Sequence, residues 1–277
     1  MQADVARLRH RYARQVTMRL VASDERLRDA FVTVARERFL GPGPWRLVTA
    51  FGSEMTSDAD LRHIYADVAI EADPVRGIDD GEPSLHALGI AALGLRAGQT
   101  IAHAGCGTGY YTAVMAELVG SAGRVDAFEG DRVLAERARA ALVPWPQARV
   151  KEMPKGPLQA YDAIYCEAAA TGPDETWLEA VRDGGRIVFP LTDAFGRGAL
   201  VCLSRQGTAF AVAPLARVTV TPPAVPGGAG SDARLAEASA AGRFMSIRAL
   251  HRGAPSASDP AVVRGDGWWL SSRPLDL

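Results

Sequence analysis

The stretch from Thr100 to Tyr111, T-I-A-H-A-G-C-G-T-G-Y-Y, has glycines at alternate positions, Gly105, Gly107 and Gly109, between an apolar run and a helical pattern. A strand that ends in such a turn and leads into a helix brings backbone N–H groups and the positive end of a helix dipole to a nucleotide-like ligand. The spacing is G-x-G-x-G, not the G-x-G-x-x-G of dinucleotide enzymes. Glu129 closes the next short apolar run, about 20 residues on, where a nucleotide-binding fold puts an acid against ribose hydroxyls. A carboxylate that accepts two sugar hydroxyls makes charge-assisted hydrogen bonds and fixes the nucleoside. Gly105, Gly107, Gly109 and Glu129 are therefore the first cofactor-binding candidates. Cys106, Cys166 and Cys202 are odd in number and far apart, and His10, His63, His86, His103 and His251 have no metal-ligand spacing. No disulfide framework and no metal site are expected. Cys106 and Cys166 fall near the expected pocket without a sequence-adjacent base and read as small buried spacers.

Elements able to position these groups follow from periodicity and from breakers. Val5, Leu8, Tyr12, Val16 and Leu20 share a helical face. Ser23 reads as the N-cap of a second helix reaching about Arg38, which Gly41-Pro42-Gly43-Pro44 stops. Trp45 to Leu61 shows no period and reads as loop, and Tyr65 to Ile70 as a short strand. A Pro/Gly/Asp loop from Asp73 precedes a helix that begins at Ser84 and continues to Leu95. Strands are expected at Ile101–Ala104, Arg124–Glu129, near Val150, and at Tyr161–Cys166, Arg186–Pro190, Ala199–Ser204 and Phe210–Val220. The intervening helices are Tyr111–Val119, Asp131–Leu142 and Glu175–Arg182, the last stopped by Gly184-Gly185. Such alternation means βαβ units and a mostly parallel sheet, with ligands at strand C-terminal ends. The expected fold is α/β and Rossmann-like, with a mostly parallel seven-stranded sheet. A helical cap and lead-in would occupy residues 1–72, a cofactor-binding domain 73–220, and a linker with a small C-terminal addition 221–277. That addition reads as a lobe or a cover over the site. Its segment G-D-G-W-W-L-S-S reads as apolar packing, with Trp268 or Trp269 over the pocket as the functional alternative.

A-G-C-G-T-G followed by an acid at the next strand end resembles the S-adenosylmethionine methyltransferases. The wider pattern is similar to the protein-L-isoaspartate O-methyltransferase family. V-A-R-E-R-F, Val34 to Phe39, resembles that family's V-P-R-E-x-F; D-D-G-E-P-S-L-H-A, Asp79 to Ala87, occupies the place of its T-I-S-A-P-H-M-H-A. Y-D-A-I-Y-C-E-A-A-A from Tyr161 and G-G-R-I-V-F-P from Gly184 resemble two later segments. The resemblance covers roughly residues 5–205 and implies S-adenosylmethionine under the glycine turn, with its ribose on Glu129. It adds Ser84, His103, Cys106 and Tyr110 to the cofactor side. It also implies methyl transfer to a carboxylate or similar nucleophile. A carboxylate, of pKa about 4, is ionised at neutral pH and needs no general base, so alignment and exclusion of water suffice and no catalytic triad is expected.

The departures from the family pattern define the catalytic-side candidates. His103 stands where the family has an acid, and reads as a partly buried strand-end histidine or as a contact to the methionine end of the cofactor. Gly81 stands where the family has a serine, with Asp80, Glu82, Ser84 and His86 as polar substitutes. K-E-M-P-K-G, Lys151 to Gly156, replaces an acidic turn that contacts the adenine amine, so adenine would be held differently. Glu167 follows the fourth strand, where the cofactor's methyl would sit, and reads either as an acid that orients an amine or hydroxyl acceptor or as a solvated strand-end charge. Asp80, His86 and Glu167 are the catalytic candidates. Asp79, Asp80 and Glu82 would repel an anionic acceptor unless compensated, which favours a specialised peptide or small-molecule acceptor over general isoaspartyl protein.

Composition bounds the alternatives. The 277 residues are 48% hydrophobic and 23% charged, with a net charge of -1, an ordinary globular balance. No basic excess and no N-P-P-Y-like segment point to nucleic acid. No apolar run is long enough to span a membrane, and the N-terminus lacks an apolar core behind its basic residues. A cytoplasmic enzyme is expected. The competing readings are a cofactor-binding or repurposed methyltransferase fold without methyl transfer, and a nucleic-acid methyltransferase.

Overall fold

The computed structural model describes every residue except 1, 50, 153–157, 222–228, 257–258 and 276–277. It forms two compact units, Met1–Met153 and Pro154–Leu277.

The first unit opens with α1 (Gln2–Val16) packed on α2 (Glu25–Thr33). Tyr12, Ala13 and Val16 of α1 and Leu27, Ala30 and Phe31 of α2 are buried, the stripe that the apolar spacing requires. The N-cap is Asp24, whose carboxylate accepts the Leu27 N–H at 2.9 Å, one residue later than the expected Ser23. The helix stops at Val34, in extended conformation, and a short α3 (Glu37–Leu40) follows. Arg36 between them is wholly buried. The stretch expected as loop contains a hairpin, β1 (Arg46–Thr49) with β2 (Gly52–Met55), and the strand expected at Tyr65 begins only at β3 (Glu71–Asp73), paired with β4 (Ile78–Asp79). These pieces are too short and too exposed for a period of two to show in the sequence. Next comes α4 (Pro83–Leu93), with its proline in the first turn and left-handed Gly94 as its cap.

Three parallel strands follow, in the order β5 (Thr100–Ala104), β6 (Arg124–Phe128), β7 (Ala148–Lys151). They are joined through α5 (Tyr110–Val119) and α6 (Arg132–Ala141). Nearly every residue of α5 is buried, so its sequence is apolar all round. Parallel pairing demands crossovers of this kind.

In the second unit β8 (Tyr161–Cys166) is followed by α7 (Glu175–Ala180) and the long β9 (Val181–Thr192), parallel to β8. Gly184-Gly185 does not stop the helix. It lies inside β9, where the register against β8 shifts, and a Cβ on Gly185 would come 2.7 Å from the Asp162 carbonyl. β10 (Arg197–Gln206) and β11 (Ala209–Thr219) continue the sheet in antiparallel sense. Most of the expected linker lies outside the described residues. Beyond it come α8 (Ala229–Ala240), a short 3₁₀ turn (Arg243–Ser246), β12 (Ala249–Arg252), β13 (Ala261–Arg264) and β14 (Trp268–Ser271). The tail pairs as β13-β14-β12 onto the β11 edge, so it extends a sheet.

Candidate functional site

The glycine turn caps β5. The Gly105 and Cys106 N–H groups both donate to the Phe128 carbonyl of β6, at 2.8 and 3.1 Å, so the two strand ends stay joined as the chain turns. Gly107 has φ +53, and no atom lies within 4 Å of the place its Cβ would take. The turn is therefore open on that side, as a bound ligand requires. Gly109, at φ +92, is the N-cap of α5, and a Cβ there would press on Leu142 at 3.0 Å. No side chain caps α5 among the described residues. Glu129, half-buried, follows β6 and accepts the Gly107 N–H on Oε2 and the Asp131 N–H on Oε1, each at 2.8 Å. Its carboxylate is thereby held at the mouth of the turn, with lone pairs left for two adjacent hydroxyls. An open glycine cradle beside a fixed, half-exposed carboxylate fits a ribose-bearing cofactor.

Other cofactor-side candidates turn inward. Tyr110 is 2% exposed, with its hydroxyl 3.4 Å from that of Tyr12. It faces the buried Arg36 guanidinium, and we assign it to the core instead of the cofactor. His103 is fully buried, with Nδ1 2.8 Å from the Thr112 hydroxyl of α5. Its ring is thus part of the strand–helix packing, more deeply set than a partly buried strand-end residue. Cys106 is also buried, as are Cys166 and Cys202. Burial pushes the Cys166 thiol well above its usual range and that of Cys202 up to about 11, so neither supplies a thiolate near neutral pH. Lys151 contacts Asp126 at 2.8 Å, while Met153 to Gly156 of the replaced acidic turn lie outside the described residues.

The segment before α4 is braced by buried side chains and backbone contacts. Asp80 is buried and receives the Arg36 Nη2 at 2.7 Å and Nε at 3.2 Å on one oxygen, and the Ile70 N–H at 2.6 Å on the other. Burial pushes its carboxyl up, and the Arg36 charge opposes that shift. Burial alone would lower Arg36, but Asp80 beside it keeps the guanidinium above its ordinary range. Arg36 also donates to the carbonyls of Ile64, Ala66 and Val68 at 2.8, 3.2 and 2.9 Å, and lies over the rings of Tyr12 and Tyr110. Both Asp80 oxygens are thus engaged in bracing, which replaces the catalytic reading of this residue with a positioning one.

Next to it, Gly81 has φ +72; its N–H donates to Asp79 at 2.8 Å and its carbonyl accepts the Tyr111 hydroxyl at 3.5 Å. The His86 ring stacks on Tyr111 at 3.8 Å, with Nε2 only 2.1 Å from where a Gly81 Cβ would be. An imidazole edge fills the place of a side chain at 81. Ser84 is buried: its N–H donates to Asp67 at 2.8 Å and its hydroxyl to Glu82 at 2.9 Å. Glu82 also meets Arg19 at 3.3 Å. Of the three acids expected to repel an anionic acceptor, Asp80 is neutralised by the buried Arg36, and Glu82 meets Arg19 in an exposed contact.

Asp80, Ser84, His86, His103, Tyr110, the glycines and Glu129 all lie in the first unit. Glu167 lies in the second, half-buried just past β8. Sequence reasoning passed over Arg36, Tyr111 and Asp67. Arg36 lay within V-A-R-E-R-F, which the family resemblance had singled out, but beside Glu37 and Arg38 nothing local marked it as the buried one. Asp67 gave none, because its partner is 17 residues away.

Residues 13–222 match the family model for protein-L-isoaspartate(D-aspartate) O-methyltransferase. A protein-L-isoaspartate O-methyltransferase of Methylorubrum populi is 32% identical over 204 residues, 70% of this chain and 85% of the relative. One of Ignicoccus hospitalis is 32% identical over 176 residues, 61% of this chain and 82% of the relative. In fold, the chain resembles a protein-L-isoaspartate O-methyltransferase structure, with TM-score 0.61 and 20% identity, covering 86% of this chain and 69% of that one. It also resembles a putative Plasmodium falciparum protein-L-isoaspartate O-methyltransferase in complex with S-adenosyl-L-homocysteine, with TM-score 0.60 and 15% identity, covering 77% of this chain and 97% of the other.

Proposed function

The chain belongs to the protein-L-isoaspartate(D-aspartate) O-methyltransferase family, and we infer from that premise that it transfers the methyl group of S-adenosylmethionine to an isoaspartyl carboxylate in a peptide or protein. The observation that carries the cofactor side is the Glu129 carboxylate fixed on the Gly107 amide beside an open glycine cradle. Glu129 would accept the two ribose hydroxyls, and the turn from Gly105 to Gly109 would take the rest of the nucleoside side of the ligand. When bound, S-adenosylmethionine supplies an already activated methyl group on a sulfonium sulfur.

The chain's own residues in the first unit then have two tasks. Arg36 and Asp80 keep the loop before α4 in one conformation. His86, stacked on Tyr111, would turn its polar edge at Gly81 toward the acceptor. None of these has to remove a proton, because the acceptor carboxylate is ionised at neutral pH; alignment and exclusion of water carry the rate.

The test is transfer of a labelled methyl group from S-adenosylmethionine to matched isoaspartyl and aspartyl peptides. Base-labile label on the isoaspartyl peptide alone is the expected result. Cofactor binding without transfer to either peptide would favour a repurposed fold, and label on RNA instead would favour a nucleic-acid substrate.

A further inference from the structure

Within the first unit, the β3–β4 hairpin is fastened to α6 at its base and at its turn, and the second fastening lies beside Glu129. At the base, the Ala72 carbonyl accepts Arg137 Nη1 of α6 at 2.7 Å. At the turn, Arg76 donates through Nη1 to Asp131, the N-cap of α6. The same guanidinium meets Oδ2 of Asp73 in β3, with Nε at 2.7 Å and Nη2 at 2.6 Å. Asp131 is thus engaged on three sides. Its Oδ1 caps α6 by accepting the Leu134 N–H at 2.8 Å, its Oδ2 takes Arg76, and its own N–H donates to Glu129 Oε1 at 2.8 Å. Arg76 and the acid that would take the ribose therefore grip one and the same residue. Hydrogen bonding to Arg76 holds the Asp131 carboxyl down to about 2, so the pair stays charged at neutral pH. The guanidinium also separates two carboxylates, one on the hairpin and one on the helix. Without it, like charges would face each other across the space it fills.

We propose that Arg76 is a positioning residue for the cofactor: by latching the β3–β4 hairpin onto Asp131 it fixes the amide that aims Glu129, and so sets how tightly S-adenosylmethionine is held. This rests on the proposed function, in which Glu129 accepts the ribose hydroxyls. The latch is partly exposed, and an isolated pair of that kind would carry little weight. Here one planar fork serves two acids, and one of them is bonded directly to the ribose carboxylate, so its effect is read at the cofactor.

The test uses the full chain with Arg76→Ala, Asp131→Asn and the double variant. Arg132→Ala, which removes an exposed pair with Glu136 on the same helix, is the control. In Arg76→Ala, S-adenosylmethionine binding by calorimetry weakens about threefold to fivefold, within reach of an exposed pair that belongs to a network. The loss falls on KM for the cofactor and not on kcat, and it shrinks as salt is raised. Asp131→Asn keeps the helix cap, since asparagine caps as well as aspartate, and loses less. The double variant binds no more weakly than Arg76→Ala, because the facing carboxylates are no longer both charged. Arg132→Ala binds as the wild type does. Wild-type affinity in Arg76→Ala, additive losses in the double variant, or an equal loss in Arg132→Ala would each overturn the proposal. If the wild-type protein binds S-adenosylmethionine but methylates no peptide, the proposed function fails by itself, and the same affinities decide this inference. A wild-type protein that binds neither S-adenosylmethionine nor S-adenosylhomocysteine overturns both.

Discussion

Glu129 carries two loads at once. It anchors the glycine turn through the Gly107 and Asp131 amides and leaves lone pairs for a sugar. Hydrogen bonds to a charged group contribute about 1.5–3 kcal/mol. Glu129→Ala should therefore weaken S-adenosylmethionine binding about tenfold to a hundredfold, read by calorimetry, with a drop in melting temperature from the loosened turn. Glu129→Ala that bound cofactor as tightly as wild type would remove this residue from the site. Gly81 gives a second prediction. Gly81→Ser would place a Cβ 2.1 Å from His86 Nε2 at a left-handed φ, an overpacking cost of about 1–3 kcal/mol. Urea denaturation should show that loss, and His86→Ala in the same chain should recover part of it.

At the scale of elements, the bracing of the loop before α4 depends on Arg36, which ties the end of α2 to the carbonyls of residues 64, 66 and 68 and to Asp80. Breaking a buried pair by removing one partner costs about 3–5 kcal/mol, since the other charge stays buried and unpaired. Arg36→Met is expected to lower unfolding free energy by that amount. Arg36→Lys should rescue little, because one ammonium cannot reproduce the planar fork that reaches four acceptors. Full rescue by lysine would show that only the charge matters. The sequence displayed the motif around Arg36 but not its partners, which come from 28 to 44 residues away. Much the same holds for Gly184-Gly185. A double glycine after a helical run is a sound stop signal, yet here α7 has already ended at Ala180 and the strand passes through the pair. Tertiary pairing with β8 overrode the local signal.

On the scale of the whole molecule, the C-terminal tail is built into the second unit. Leu235, Ala238, Phe244, Ile247 and Leu250 are buried, and β12 covers the edge of β11 at Phe210 and Ala211. A chain ending at Thr221 should bare that edge and its apolar face and associate, since an uncovered strand edge is a template for pairing. Size-exclusion chromatography with light scattering would detect it. A monomeric truncated chain with unchanged melting temperature would show that the tail is dispensable for folding.

The sequence by itself determined the βαβ core, the glycine turn with its distant acid, and the family, because these rest on short-range patterns: alternating apolar runs, glycines at fixed offsets, and an acid at a strand end. The strand–turn–helix at Gly105 to Gly109 was legible in the sequence, while only the fold showed Glu129 bonded to the Gly107 amide and Tyr110 and His103 turned into the core. The tertiary structure alone decided which polar groups are spent on bracing and which stay available. It paired Asp80 with Arg36, Glu82 with Arg19 and Asp131 with Arg76, set His86 against Gly81, and laid Trp268 on Gly172. Those outcomes depend on contacts between residues far apart in the chain, and on which side of each backbone is left open, and neither leaves a local pattern to read.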